Sequence, residues 1–191
     1  TKCAAQYQAK TGNKVTYTST GSGTGRTNFA TGTSDFAFTD APVQASDKSK
    51  PAGAYVTVPV IGGAIAIVHS VAGVKDLQLD AATLGGIFSG TIAKWNDPAI
   101  VALNKKATLP DAGITVVYRS DKSGTSGNFT AWLRGVAPTT WTKPQNDTFV
   151  TAFPGNINAG GNIGRVVGAS SSTGVAQLAG KTKYSITYAE V

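Results

Sequence analysis

Runs of apolar residues that alternate with polar ones, or continue without a break, predict several short strands along this chain. Such runs occupy residues 14–18, 35–40, 55–60, 63–69, 114–118 and 184–191. The runs at 55–60 and 63–69 are rich in Val and Ile, which is typical of strands that are buried on both faces. Stretches with helical spacing lie between the runs, and strands that alternate with helices predict an α/β sheet.

Cap residues and apolar spacing together predict the helices. Residues 3–10 are compatible with a helix that ends at Thr11-Gly12-Asn13, and further helices are predicted to begin near residues 26, 80, 97, 129 and 175. Asp80 and Asp97 each precede a predicted helix, where a carboxylate can accept hydrogen bonds from N–H groups of the first turn. Pro98 then occupies the first helical position, which tolerates proline.

The composition indicates a globular chain. Of the 191 residues, 41% are hydrophobic and 14% are charged, whereas a disordered chain is more polar and more highly charged. This length accommodates one good-sized domain, or one domain with part of a second. No apolar run reaches the roughly 18 residues that a membrane-spanning helix requires, so we expect no such helix.

The charge is basic but dispersed. The chain has 17 basic and 10 acidic residues, a formal net charge of +7. A basic excess is compatible with a nucleic acid, an anionic surface or an anionic ligand. No three basic residues are consecutive, and a nucleic-acid groove would require clustered basic residues with interleaved aromatic ones. We therefore expect no nucleic-acid partner, and a solvated basic surface is the simpler interpretation.

Residues for metal binding and catalysis are scarce. Cys3 and His69 are the only cysteine and histidine, so an internal disulfide and the usual kinds of zinc site are excluded. His69 ends an apolar run and is interpreted as structural. The chain has no nucleophile elbow, and the glycine-rich stretch at 21–27 lacks the lysine and spacing of a P-loop. We predict no enzymatic activity, no metal and no cofactor.

Two small-residue loops are candidates for anion binding. Ser22-Gly23-Thr24-Gly25 and Ser123-Gly124-Thr125-Ser126 each lie between a predicted strand and a predicted helix. Small residues let backbone N–H groups approach a ligand, and a helix start adds unpaired donors and a partial positive charge. Together these features favour an anion. Taken singly, each loop is weak evidence, and an ordinary turn between a strand and a helix is the commoner interpretation.

Three charged residues refine this interpretation. Arg119 precedes the second loop and offers a planar fork of donors suited to phosphate oxygens. Asp121 can hold that fork, although a loose surface pair of little energetic value is the alternative. Asp40 accepts hydrogen bonds when ionised, so it suits an anion that carries a proton. Phosphate carries one at neutral pH and sulfate does not; alternatively, Asp40 simply caps the turn at Ala41-Pro42.

Several segments, in the right order along nearly the whole chain, resemble the phosphate-binding subunit of bacterial phosphate uptake transporters. They are residues 11–17 with Gly21-Ser22-Gly23, residues 35–42 around Thr39-Asp40-Ala41-Pro42, residues 90–100 around Lys94-Trp95-Asn96-Asp97-Pro98, residues 109–110 with 117–125, and residues 184–190. The resemblance implies a periplasmic-binding-protein type II fold, phosphate as ligand and an extracytoplasmic location. It also implies phosphate contacts from Ser22, Asp40, Arg119, Ser123, Gly124 and Thr125, with Asp121 and Gly23 in support.

Departures from the family suggest that one lobe is complete and the other partial. Family members begin with a further ligand segment, TGAGAT, and continue beyond the last strand. Lys122 and Thr187 stand where the family usually has glycine, and residues 169–174 resemble extra sequence in a loop. We expect a partial first lobe at 1–57, a second lobe at 58–185 and a strand returning toward the first lobe at 186–191. The hinge is then expected near 56–60 and 186–190.

The beginning of the chain leaves its origin open. It starts at Thr1, without a signal peptide, so we expect either that a leader was removed or that the chain is part of a longer protein. A membrane subunit of an ABC transporter and another chain that completes the first lobe are the expected partners.

Two hypotheses of different classes follow. The first is reversible binding of inorganic phosphate in a cleft between the lobes, for uptake by an ABC transporter. The alternative is a structural or assembly module that keeps the fold but binds phosphate weakly or not at all. A hydrolase ranks third, because no base is identified beside Ser22 or Ser123.

Overall fold

In a computed structural model, which describes residues 2–43 and 53–191, a four-stranded sheet is surrounded by helices. The helices are α1 Lys2–Thr11, α2 Ser22–Ala30, α3 Ala81–Ser89, α4 Pro98–Leu103, α5 Gly124–Val136, α6 Phe149–Ala152 and α7 Ser171–Lys181. The strands are β1 Ile65–His69, β2 Thr115–Arg119, β3 Val166–Ala169 and β4 Ser185–Glu190, and a 3₁₀ turn covers Gly160–Asn162. We call residues 2–43 the N-terminal segment and residues 65–191 the sheet unit.

The sheet is mixed, and its strands run in the order β1-β4-β2-β3. β2 pairs in parallel with β3 and β4, while β1 pairs antiparallel with β4. The last strand of the chain is thus central, and its first five residues are buried. Thr187, which stands where the family usually has glycine, donates its buried hydroxyl to the Val117 carbonyl at 2.8 Å.

Helices cover both faces of the sheet. On one face Val116, Ile186 and Tyr188 join a large core with Phe88 and Trp95. On the other face α7 packs against the sheet through a smaller core of Val117, Val175, Ala179 and Ala189. Neighbouring residues of β2 and β4 enter opposite cores because successive side chains of a strand point to opposite faces. Burial on both faces explains the consecutive Val116 and Val117 of β2; in β4, where Ile186 and Tyr188 alternate with Ser185 and Thr187, the alternation predicted from the sequence is present.

The predicted helix caps are confirmed. Asp80 accepts a hydrogen bond from the Thr83 N–H at 2.8 Å, and Thr83 Oγ1 accepts from the Asp80 N–H at 2.9 Å. Asp97 accepts from the Ala99 N–H at 2.9 Å, with Pro98 in the first turn. In contrast, α2, α5 and α7 begin about one turn before the residues from which they were predicted, because small polar residues fill their first turns and leave no apolar spacing to detect.

Three predicted strands, at 14–18, 35–40 and 55–60, are wrong, and the predicted strand at 63–69 begins only at Ile65. A strand requires a neighbour for its N–H and C=O groups, and no described strand lies beside these segments. Their apolar side chains are exposed instead: Val56 is 88% exposed and Tyr17 is 52% exposed. β3 was not predicted. Residues 44–52, within the predicted first lobe, lie outside the described residues.

No helix in the described part of the chain combines the length and apolar character needed to cross a membrane. Within residues 2–43 and 53–191, no group of three or more His, Cys, Asp or Glu side chains is arranged to hold a metal ion. Cys3 is exposed on α1.

Candidate functional site

Three helices begin close together at one end of the sheet. The Ser22 hydroxyl of α2 lies 2.8 Å from where a Cβ on Gly124 of α5 would stand. The Ser171 N–H of α7 donates to Asp121 Oδ1 at 3.0 Å. Each helix start carries unpaired N–H groups and the positive end of the helix dipole. Their convergence brings the positive ends of three helix dipoles together in a region with few basic side chains.

Ser22, Asp40 and Thr125 form one hydrogen-bonded cluster. The hydroxyls of Ser22 and Thr125 each donate to Asp40 Oδ2 at 3.3 Å, and the Asp40 N–H donates back to Ser22 Oγ at 3.3 Å. Asn128 donates to the Asp40 carbonyl at 2.9 Å. Ser22 and Thr125 are buried, whereas Asp40 is exposed. The structure thus brings together residues from two distant parts of the sequence.

Glycine at position 124 is required by this cluster. A Cβ there would lie 2.8 Å from the Asp40 Cβ as well as from the Ser22 hydroxyl, closer than real side-chain contacts allow. Any larger residue would force α5 away from the N-terminal segment.

Arg119, at the end of β2, is held in place by its neighbours. Its Nε and Nη2 donate to the two carboxylate oxygens of Asp121 at 2.7 and 2.5 Å, and its Nη1 donates to Ser172 Oγ at 3.0 Å. The Arg119 side chain is buried. Burial lowers the pKa of Arg119, but the hydrogen bonds and charge of Asp121 outweigh it, so the net shift is upward.

The pKa of Asp121 shifts in the matching direction. Burial raises it, but the hydrogen bond from Arg119, the N–H of Ser171 and the positive charge of Arg119 lower it more. The pair is therefore ionised at neutral pH, and its planar geometry fixes the orientation of the guanidinium.

Glu190, the last residue of β4, also lies near these charges and was not identified from the sequence as a site residue. Burial raises the pKa of its carboxyl, the negative charge of Asp40 raises it further, and Arg119 lowers it. A Cβ on Gly63 would lie 2.7 Å from Glu190 Oε1. The position of Glu190 at the end of a predicted strand was the available signal.

Two clefts meet at Asp40 and Glu190. One, of about 910 Å³, is lined by Ser22, Arg119 and Ser172 together with both carboxylates. The other, of about 870 Å³, is mostly apolar and is lined by residues such as Val60 and Trp132. The polar cleft contains the guanidinium and most of the hydroxyl groups suited to an anion, whereas Thr125 lines the apolar cleft on the other side of Asp40.

The remaining predicted residues, Ser123 and Gly23, are buried and line neither cleft. Ser123 is buried directly before α5, and its hydroxyl has no hydrogen-bond partner among the described residues. The Gly23 N–H donates to the Lys122 carbonyl at 3.0 Å, so this donor is already used within the protein. A Cβ on Gly23 would collide with the Lys122 side chain, which packs across the start of α2.

A second charged pair near the site was missed from the sequence. Arg26, on α2, donates to Asp147 Oδ2 at 2.5 Å and to Thr39 Oγ1 at 3.0 Å. Its place four residues after Ser22, on the same helical face, was the only sequence signal.

All 191 residues match the family model of the PBP superfamily domain. The chain belongs to the PBP superfamily. Among curated relatives, it is 40% identical over 188 residues to phosphate-binding protein PstS 2 of Mycobacterium tuberculosis, covering 94% of this chain and 47% of that protein. It is 38% identical over 193 residues to phosphate-binding protein PstS of Pasteurella multocida, covering 99% of this chain and 52% of that protein. The chain spans about half the length of these relatives.

Solved structures agree on the fold of this PBP superfamily member. The ancestral soluble variant of the Human Phosphate Binding Protein superposes with a TM-score of 0.76 at 26% identity, over 98% of this chain and 53% of that one. A high affinity periplasmic phosphate-binding protein, PfluDING, bound with phosphate, superposes with a TM-score of 0.71 at 27% identity, over 89% of this chain and 48% of that one. The resemblance and the α/β fold predicted from the sequence, one lobe plus part of another, are thereby confirmed.

Proposed function

We propose that this chain binds inorganic phosphate reversibly in the polar cleft, for uptake by an ABC transporter. One observation carries the proposal: the hydroxyls of Ser22 and Thr125 and the carboxylate of Asp40 meet where α2 and α5 begin, and a fixed Arg119 lines the same cleft as Ser22 and Asp40. Helix starts, a fixed guanidinium and an exposed carboxylate at Asp40 together match a tetrahedral anion that still carries a proton. The names of the relatives support the same ligand.

Arg119 is well prepared to hold two oxygens of such an anion. A guanidinium has five N–H groups, and three nitrogens each direct one toward Asp121 or Ser172. The other N–H on each terminal nitrogen remains for a ligand, and these two bonds suit a bidentate contact with phosphate. The predicted roles of Ser123, Gly124 and Thr125, as donors at the start of α5, are part of this proposal, with Gly23 and Asp121 in support.

Asp40 is proposed to select the protonated ligand. Its Oδ2 accepts from Ser22 and Thr125, which fixes the carboxylate without neutralising it. A proton on phosphate can be donated to the carboxylate, whereas sulfate would place unprotonated oxygens against it. Once a bound anion shields Asp40 from water, an acceptor left unpaired is costly, so we expect the chain to discriminate strongly between phosphate and sulfate.

Binding without chemistry is the proposed mode of action. The structure does place a carboxylate, Asp40, beside Ser22, but it is shared with Thr125 rather than dedicated to one nucleophile. His69 accepts a hydrogen bond from the Val71 N–H and packs beside Trp95. We expect no turnover of an aryl phosphate ester; turnover that disappears in Ser22→Ala would contradict this.

The proposed setting is extracytoplasmic, with a membrane subunit of the transporter as partner. A structural relative from Clostridium perfringens is described as a putative phosphate ABC transporter substrate-binding protein with bound phosphate, but its 19% identity supports only the fold. We also propose that further polypeptide completes the first lobe, because Tyr17, Phe36 and Val56 expose their side chains. Size measurement in solution tests the alternative of an assembly module, which the relatives do not favour.

The proposed division is a partial first lobe at 1–57, a second lobe at 58–185 and a return at 186–191. The described sheet begins at Ile65, and β4 lies at its centre. Residues 186–190 all pair with β1, so hinge motion there would have to bend the central strand. The hinges near 56–60 and 186–190 stay a prediction.

Titration calorimetry of the purified chain with phosphate tests the proposal. We expect one phosphate per chain and much weaker binding of sulfate. Asp111→Asn is a suitable control, because Asp111 is 67% exposed and pairs only with Lys94 among the salt bridges of the described residues. Absence of phosphate binding by the folded chain would contradict the proposed function.

A further inference from the structure

One buried ion pair bridges α2 and the loop that follows α5. Arg26 lies one turn after Ser22, and its side chain is 4% exposed. It contacts the carboxylate of Asp147, 121 residues away, and the hydroxyl of Thr39, which precedes Asp40. Arg26 therefore lies on the same helix as Ser22 and contacts the residue next to Asp40. Ser22 and Asp40 are the two proposed ligand residues of the N-terminal segment.

Asp147 is itself held against the start of α5. Its carbonyl accepts a hydrogen bond from the Ser123 N–H at 2.9 Å, directly before the helix. The absence of a side chain at Gly127 lets the carboxylate approach, since a Cβ there would lie 2.2 Å from Asp147 Oδ1. The adjacent Asn146 N–H donates to Thr130 Oγ1 at 3.1 Å. Asp147 thus moves with α5.

Few apolar contacts hold α2 in place. Its buried residues are Ser22, Gly23 and Arg26, none of which has an apolar side chain. α1, which precedes it, has no buried residue. Polar contacts therefore set the position of α2 against the sheet unit, and the buried ion pair of Arg26 with Asp147 is one of them.

We propose that Arg26 and Asp147 are positioning residues: they hold the start of α2 in register with the start of α5, so that Ser22 and Asp40 face the same ligand as Thr125. This inference rests on the proposed phosphate function. The pair itself stays outside the ligand contacts. The ion pair forms only while α2 lies against α5, so it stabilises the conformation in which Ser22, Asp40 and Thr125 are close together.

The burial of the pair gives it this role. Removing one partner of a buried pair leaves the other charge without compensation, which is strongly unfavourable. The side chain of Asp147 is 13% exposed. Lys94 and Asp111 also form an ion pair between a basic side chain and an aspartate, but these side chains are 61% and 67% exposed. Exposed ion pairs contribute little to stability. The chain therefore offers a matched control.

Amide hydrogen exchange of the ligand-free chain tests the positioning directly. Asp147→Asn is expected to speed exchange of the amides at 22–26 by about tenfold or more, because α2 loses its charged contact. Asp111→Asn should leave these rates unchanged. Equal rates in Asp147→Asn and the unaltered chain would overturn the inference.

Phosphate affinity, measured by calorimetry on the same variants, tests the consequence. Asp147→Asn is expected to weaken binding by about tenfold or more, while Asp111→Asn changes it less than about twofold. Arg26→Lys should lose less phosphate affinity than Asp147→Asn, because lysine keeps the positive charge. Some loss is still expected, because lysine lacks the fork that spans Thr39 and Asp147. The double variant of Arg26→Met with Asp147→Asn should bind no more weakly than the weaker single variant, since both break the same contact.

The outcomes separate this inference from the proposed function. If the unaltered chain binds phosphate and Asp147→Asn matches it in affinity and exchange, the inference is wrong and the proposed function stands. If the unaltered chain does not bind phosphate, the proposed function is wrong, and the exchange rates alone decide whether the pair positions α2. Circular dichroism checks folding, and Arg26→Lys replaces Asp147→Asn if the latter does not fold.

Discussion

At the scale of single residues, the site depends on hydrogen bonds that join side chains of the N-terminal segment to side chains of the sheet unit. Asp40 Oδ2 accepts from both Ser22 and Thr125, and Gly124 leaves the space in which they meet. Arg119 stands apart from this cluster, fixed by Asp121 rather than by Asp40. The acceptor and the cation are thus kept from neutralising each other, which leaves both available to a ligand.

Arg119→Lys should weaken phosphate binding markedly. Lysine keeps the charge but cannot make a planar two-pronged contact, nor span Asp121 and Ser172 as Arg119 does. Loss of a charged hydrogen bond costs about 1.5–3 kcal/mol, or roughly ten- to a hundredfold in affinity. Calorimetry with phosphate provides the measurement, and an unchanged affinity would place Arg119 outside the site.

Asp40→Asn should reduce the preference for phosphate over sulfate. The amide offers N–H donors where the carboxylate offered only acceptors, so sulfate no longer faces an unpaired negative charge. We expect sulfate to bind more tightly to this variant than to the unaltered chain, in competition experiments monitored by calorimetry. Sulfate binding as tightly as phosphate in the unaltered chain would already contradict the role of Asp40.

At the scale of elements, the candidate site is built mainly from the starts of helices. α2, α5 and α7 begin with small polar residues, and their N-cap residues Gly21, Ser123 and Ser170 make no side-chain capping hydrogen bond. In the first turn of α7, Ser171 Oγ accepts from the Gly174 N–H at 3.1 Å, which leaves α2 and α5, of these three, as the helix starts without a side-chain cap. α3, away from the cleft, is closed by a full capping box at Asp80. Helix starts that lack side-chain caps can offer their N–H groups to an anion.

Asp80→Ala should lower the free energy of unfolding by about 0.5–2 kcal/mol, the usual value of an N-cap. Asp80→Asn should lose less, because asparagine also caps. Hydrogen bonds from Thr83 lower the pKa of Asp80 from 3.8. The stabilisation is therefore present above that value and is lost as pH falls through the lowered pKa. Urea unfolding of Asp80→Ala and of the unaltered chain, at pH 7 and below pH 3.8, checks this. An equal difference in unfolding free energy between the two proteins at both pH values would contradict it.

At the scale of the whole molecule, the sheet unit is well packed and the N-terminal segment is attached to it mainly by polar contacts. The sheet carries a core on each face, whereas α1 buries no residue. A ligand held by residues of both parts would join them, and ligand binding to the folded state alone must raise stability.

Phosphate should therefore stabilise the chain against unfolding. At a free concentration of about 100 times the dissociation constant, the gain is about 2.7 kcal/mol. Denaturant unfolding with and without phosphate measures it, and sulfate at the same ionic strength serves as the control. An equal gain from sulfate would indicate a general salt effect and contradict specific binding.

Much of the fold was accessible from the sequence because it rests on local rules. The caps at Asp80 and Asp97, the strand at 114–118 and the final strand were predicted from cap chemistry and apolar patterns. The segments at 14–18 and 55–60 were predicted as strands but are not strands. An alternating or β-branched pattern shows that a segment is suited to a sheet, but it does not show whether a neighbouring strand is present to pair with it.

The sequence by itself determined the types of group in the candidate site: two small-residue loops, an arginine with its aspartate, and an unexpected carboxylate at Asp40. Only the tertiary structure decided which of them meet. It placed Thr125 and Ser22 on one oxygen of Asp40, drew Glu190 toward them and revealed the pair of Arg26 with Asp147. Cap and strand signals lie within a few residues, whereas these contacts join residues up to 121 positions apart, and such pairings depend on how the helices pack.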